Sequence, residues 1–236
     1  MSWKAQISEA SVRIAPYIQR TPVMHNTHGF GLPYSIELKL EQLQHTGTFK
    51  ARGAFNTLLS APVPQAGIVA ASGGNHGAAV AFAAQKLGHT AHIFVPEMAG
   101  PSKIALIERT GAQLTVVKGE YANAAEAAAK YEAATGAMQI HAYDAPATVA
   151  GQGSCLVEWE EQGLEADTVL IAVGGGGLIG GALGWLAGAR KVVAVEPVTS
   201  CALNAALAKG APCDVQVSGV AANALGARKL GQICYD

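Results

Sequence analysis

Short, nearly uninterrupted apolar runs alternate along this chain with longer stretches whose apolar positions recur every three or four residues. The runs fall at 67–72 (GIVAAS), 90–95 (TAHIFV), 113–117 (QLTVV), 168–173 (TVLIAV) and 191–196 (KVVAVE). They are β-branched and apolar at successive positions, the pattern of strands covered on both faces and hence of parallel sheets. Helical periodicity fills 50–59, 75–87, 101–109, 121–135, 146–162, 178–187 and 199–208, and 35–41 reads as a further strand. Pro101 suits the first position of its helix and Gly136 ends another. Strand–helix alternation of this kind predicts a two-lobed α/β fold, with parallel or mixed sheets and helices on both faces. The units form two groups. Residues 62–143 make a smaller domain, and 1–61 together with 144–236 a larger one, with ligand expected at the carboxyl ends of the strands between them.

Composition narrows the function classes. The chain has 236 residues, half of them hydrophobic, enough for a sizeable core. A net charge of −1 and the lack of any basic run argue against a nucleic-acid or anionic-membrane partner. No apolar stretch reaches the roughly 18–20 residues of a membrane span, and the first twenty residues contain no secretory apolar region. Cys155, Cys201, Cys213 and Cys234 are scattered without a CxxC pair, so reduced thiols in a cytoplasmic protein are expected. The segment before Thr21 carries no chemistry of its own and is a candidate for a subunit contact.

The 28 glycines cluster in short runs between apolar segments, and two of those runs change the picture. Gly174-Gly175-Gly176-Gly177 follows a strand and opens a helix. Four residues without Cβ let backbone N–H groups close around a small anion such as a phosphate. A tight turn with close helix–sheet packing is the plain alternative. A dinucleotide loop is a poorer match, although Glu196 ends the next strand where a ribose-binding acid could stand. Ser72-Gly73-Gly74-Asn75-His76-Gly77 repeats the strand–turn–helix arrangement and suits a carboxylate, with helix capping by Ser72 or Asn75 as the plain alternative. Lys50 heads a helix between Phe49 and Arg52-Gly53. A lysine desolvated beside apolar or cationic groups loses proton affinity and becomes a usable nucleophile or base. One lysine, one Asn-bearing loop and one bare-backbone loop, in that order, meet the needs of pyridoxal phosphate.

The ordered set resembles the fold-type II pyridoxal-phosphate enzymes, in particular the threonine/serine dehydratase branch that includes serine racemase. The similarity runs from Thr21-Pro22 to the end of the chain through Lys39-Leu40-Glu41, 46–54, 71–77, 174–181, Glu196-Pro197 and Ser218-Gly219-Val220. It implies that Lys50 forms the Schiff base, Phe49 packs near the cofactor ring and Asn75 bonds its phenolic oxygen. Gly174, Gly175, Gly176 and Gly177 bind the phosphate, and Gly219 lies against the ring. Ser72, Gly73, Gly74 and His76 grip the substrate carboxylate. The implied reaction is β-elimination from L-threonine or L-serine to a 2-oxo acid and ammonia, in a homodimer whose small domain is mobile.

Departures from the pattern shape the expectations. Racemases of this family carry a serine where Gly73 stands, so elimination is expected over racemisation. Some relatives bind a divalent cation through a Glu like Glu196 and a downstream carboxylate. Ala202 occupies the latter position, which leaves Glu196 as the only candidate metal ligand. The family continues past the Ser218-Gly219-Val220 motif, whereas this sequence ends at Asp236 with 232–236 still in a helical pattern, so a missing C-terminal part is expected. The alternatives are a serine or hydroxyaspartate racemase or dehydratase of the same family, a catalytically inactive fold relative, and, more remotely, a nucleotide-binding oxidoreductase.

Overall fold

A computed structural model describes residues 1–26, 31–97 and 99–236. Its elements follow the alternation read above: α1 (Trp3–Ile14), β1 (Val23–Asn26), β2 (Ile36–Lys39), α2 (Lys50–Ser60), β3 (Ile68–Ala71), α3 (Asn75–Leu87), β4 (Ala91–Pro96), α4 (Pro101–Glu108), β5 (Gln113–Val117) and α5 (Tyr121–Thr135). They continue with β6 (Met138–Gln139), α6 (Pro146–Glu161), β7 (Thr168–Ala172), α7 (Gly177–Leu186), β8 (Lys191–Val195), α8 (Ala202–Lys209), and two four-residue helices, α9 (Ala222–Leu225) and α10 (Gln232–Tyr235).

Strands β5-β4-β3-β6 form a parallel sheet in that order. Its residues alternate between two cores. Ile68, Ala70, Ile93 and Val95 pack with residues of α2 and α3 on one face. Val69, Ala71 and Phe94 pack with Ala124 and Ala128 of α5 on the other. Helices therefore cover both faces, as the continuous apolar runs require. β7 and β8 pair in parallel as a second sheet, whose inner face joins α6, α7 and α8 through Leu156, Val169, Ile171, Ile179 and Ala206. β1 and β2 form an antiparallel pair.

Two short strands escape the pattern reading. β6 has two residues, and β1 (VMHN) mixes polar and apolar positions, so neither carries a periodic signal. The last long helix begins at Ala202, later than 199, because Pro197 to Ser200 form a turn closed by Ser200 N–H on the Pro197 carbonyl. The N-terminal segment is a helix whose apolar face is used inside the chain. Ile7 and Ala10 are fully buried against Ala150 and Val157 of α6, and Trp3 and Trp185 flank them.

Candidate active site

Lys50 begins α2 after Thr48 and Phe49, which follow the turn 45–47, in which Thr46 holds a left-handed conformation (φ 61°) beside Gly47 (φ 77°). A β-branched residue there is strained, and its buried hydroxyl has no hydrogen-bond partner among the described residues. Thr48 Oγ1 accepts the Lys50 backbone N–H at 3.2 Å. The Lys50 amine turns inward and donates to the Ala142 carbonyl at 2.7 Å. Phe49 lies beside it, its ring centre 5.1 Å from Nζ. Burial pulls the ammonium down from the ordinary lysine value to about 8.

The Asn-bearing loop follows β3. Ser72 Oγ accepts the Gly74 N–H at 3.2 Å, and α3 starts at Asn75. The Asn75 carboxamide has no hydrogen-bond partner among the described residues. His76 is buried with Nε2 2.8 Å from the Ile140 carbonyl oxygen. Burial first, and then the Lys50 charge, take its pKa down to about 3, so the ring is neutral. Gly73 sits against Ala99: a Cβ at 73 would lie 2.4 Å from the Ala99 methyl carbon.

The tetraglycine leads from β7 into α7. A Cβ would come within 2.3 Å of the Tyr143 ring at Gly175, 2.6 Å of Cys234 at Gly176 and 2.3 Å of Gln152 Oε1 at Gly177. Only bare backbone fits. The first intrahelical bond of α7 runs from Gly180 N–H to the Gly176 carbonyl. The N–H groups ahead of Gly180 therefore lack helical acceptors, and the positive end of the helix dipole adds to them.

Two features link these loops. The first is the segment before α6. Ile140 receives His76, Ala142 receives Lys50 and Gln152, and the Tyr143 ring lies against Gly175. His141 Nδ1 accepts the amides of Tyr143 and Asp144, and Asp144 Oδ1 accepts the Ile233 amide. The second is α9. A Cβ on Gly74 would lie 3.9 Å from the Asn223 carbonyl oxygen, and one on Gly174 3.2 Å from Leu225 Cα. Lys50, the Asn loop and the tetraglycine thus meet around one region.

Two other sequence candidates stand apart from it. Gly219 is left-handed (φ 81°) and exposed, and its nearest neighbour is Thr199. Glu196 directs Oε1 to the Leu203 amide at 2.8 Å and Oε2 to the Asn204 amide at 2.9 Å, capping α8. Among the described residues no group of three or more His, Cys, Asp or Glu is placed to hold a metal. The sequence reading passed over Ala142, Tyr143 and Gln152. Ala142 acts through its carbonyl, which carries no sequence identity. Gln152 sits in a helix interior where only its burial marks it.

The sequence matches the pyridoxal-phosphate dependent enzyme family over residues 14–236. The chain belongs to that family. An L-threonine ammonia-lyase of Geobacter sulfurreducens is 32% identical over 95% of this chain and 58% of its own length. A phenylserine dehydratase of Ralstonia pickettii is 33% identical over 98% of this chain and 72% of its own. The structure of maize serine racemase superposes with a TM-score of 0.92 at 33% identity, covering 98% of this chain and 72% of that one. The chain thus spans little more than half the length of the Geobacter relative. The cofactor of the family is pyridoxal 5'-phosphate, and the residues present fit it. They offer an inward-turned amine of lowered proton affinity, a cradle that any Cβ would fill, and helix N–H groups without helical acceptors.

Proposed function

We propose that this chain is the cofactor-binding part of an ammonia-lyase. It would eliminate water from a small L-β-hydroxy amino acid, L-threonine or L-serine, to give a 2-oxo acid and ammonia. The observation that carries the reading is the Lys50 amine, enclosed, bonded to the Ala142 carbonyl and linked through that carbonyl and Gln152 to Gly177. The names of the Geobacter and Ralstonia relatives support elimination from hydroxy amino acids.

In this reading Lys50 would be the residue that holds the cofactor through its amine, and as a free amine it would take the Cα proton. Its lowered proton affinity leaves more free amine near neutral pH than an exposed lysine has. The Ala142 carbonyl holds the amine when it is protonated. Pyridoxal phosphate supplies the electron sink for the developing charge at Cα. The N–H groups of Gly174 to Gly177 would hold its phosphate. Ser72, Gly73, Gly74 and His76 face the substrate carboxylate at the α3 N-terminus, where a neutral His76 adds no charge. The Asn75 carboxamide would face the cofactor ring, with Phe49 beside it. Glu196 caps α8 and Gly219 lies beside Thr199, so neither is given a step in this mechanism.

Elimination is preferred to racemisation because Gly73 offers no hydroxyl where the family's racemases carry a serine, and a Cβ there would lie 2.4 Å from the Ala99 methyl carbon. Residues 62–143 contain the whole four-stranded sheet, which supports a small domain there and a larger one from 1–61 with 144–236. Four free thiols support a cytoplasmic location, and a homodimer belongs to the same proposal. Among the described residues no helix is long and apolar enough to cross a membrane.

The test is a visible absorbance band bleached by borohydride, together with 2-oxobutanoate or pyruvate release from L-threonine or L-serine. Lys50→Ala is expected to lose both, and retained turnover in Lys50→Ala would sink the reading. Efficient D-serine formation would overturn the preference for elimination.

A further inference from the structure

The Ala142 carbonyl is the sole hydrogen-bond acceptor of the Lys50 amine among the described residues, and it is shared. Gln152 Nε2 donates to the same oxygen at 3.1 Å. Gln152 is completely buried on α6, and its other end, Oε1, has no donor among the described residues. A buried amide oxygen left unbonded is destabilising and calls for an explanation. Turning the carboxamide over would set its oxygen against the Ala142 oxygen, so the donor end fixes the pose. The side chain lies where both neighbouring motifs lack a Cβ. One on Gly53 would come within 3.1 Å of Gln152 Nε2, and one on Gly177 within 2.3 Å of Oε1. The fold thus leaves one acceptor unsatisfied and keeps a second donor on the carbonyl that Lys50 uses.

We infer that Gln152 is a positioning residue for Lys50. Its amide competes for the Ala142 carbonyl, loosens that carbonyl's hold on the ammonium, and keeps the carbonyl bonded when the amine leaves to react. The inference rests on reading Lys50 as the cofactor lysine. The other groups facing the amine are Phe49 on its own element, His76 from α3 and His141 from the segment before α6. The two histidines are held below the ordinary imidazole value, chiefly by burial, and no carboxylate pairs with Lys50 among the described residues. The balance at Ala142 therefore governs how tightly the proton stays.

Competitive acetylation of the full 236-residue chain without cofactor, read by mass spectrometry of the Lys50 peptide across pH, tests this. Gln152→Met keeps the length and removes the donor. It is expected to raise the Lys50 midpoint by about one unit, which lowers amine reactivity at pH 7 roughly tenfold. A folded Gln152→Met protein with an unmoved midpoint overturns the inference. Where that variant does not fold, the wild-type chain decides. The Gln152 side-chain amide signals should move in NMR with the same midpoint as Lys50 acetylation, and signals that stay still through that range overturn it. Borohydride trapping of pyridoxal phosphate on wild-type Lys50 separates the two readings. An absent adduct removes the cofactor role, whereas an adduct with an unmoved midpoint removes only the role of Gln152.

Discussion

Lys50 is half-buried and its ammonium has a single hydrogen-bond acceptor among the described residues, and that has a consequence for the cofactor-free chain. Burial lowers its pKa from 10.5 to about 8, so between those values the unfolded chain binds more protons than the folded one. Stability therefore rises with pH across that window and is lowest where the ammonium is fully charged. Lys50→Met should stabilise the cofactor-free chain at pH 7, with an upper limit of roughly 3 kcal/mol set by the shift. The gain should shrink as pH approaches 10, where the folded wild-type amine is neutral, while Gln152 still bonds the Ala142 carbonyl in the variant. Thermal melts at the two pH values measure it, and a variant less stable at both would contradict the burial argument. The lysine itself was legible in the sequence because small and aromatic neighbours flank it between two glycine loops. Its acceptor was not: a backbone carbonyl 92 residues away is brought close only by the chain path through β6.

At the scale of elements, β2, α2 and α6 are joined by a cluster of buried charges. Arg52 is fully buried. Its Nε and Nη2 donate to Glu41 at 2.8 and 2.7 Å, and Nη1 and Nη2 both donate to Glu158 at 3.1 Å. Lys39 donates to Glu158, to Gln162 Oε1 and to the Thr21 carbonyl. Two cations face two carboxylates, so the cluster is neutral. Burial works to raise the Glu158 pKa, but Arg52 and then Lys39 outweigh it and hold the carboxyl below its ordinary value. The stability this provides is present above the ordinary Glu value of roughly 4.3 and is lost as pH falls through the lower folded value. Removing one member of such a pair strands the others, so Glu158→Ala should cost about 3–5 kcal/mol in urea unfolding at pH 7. A loss under about 1 kcal/mol would show the cluster to be dispensable. The sequence marked Lys39, Glu41 and Arg52 as parts of the family pattern without saying what they meet. Glu158, the common partner of Lys39 and Arg52, looked like an ordinary polar position near a helix end. α3 and α5 were legible to the residue because each stops at a left-handed glycine, Gly88 and Gly136. β1 and β6 are held by pairing across the sheet, which no local pattern records.

For the molecule as a whole, the alternation of runs made the α/β class legible, and the four-stranded sheet meets its terms with helices on both faces. The second sheet does so on one face only. Leu170 pairs with Val193 and Ala172 with Val195, which sets these four side chains on the same side. Leu170 is 68% exposed and Val195 45%. Parallel strands are ordinarily covered on both sides, and two strands are few for an independent sheet. A contiguous apolar face of this kind favours self-association and binding of apolar dyes. The 236-residue chain should therefore bind such a dye in its folded state and associate as its concentration rises. Leu170→Lys places a charge on the open face without touching Val169 or Ile171, which point into the core. It should lower dye binding and shift sedimentation toward the monomer, while changing stability by no more than about 0.5 kcal/mol. Unchanged dye binding in a folded Leu170→Lys chain would locate the apolar exposure elsewhere. A large loss of stability would mean that Leu170 is covered in solution.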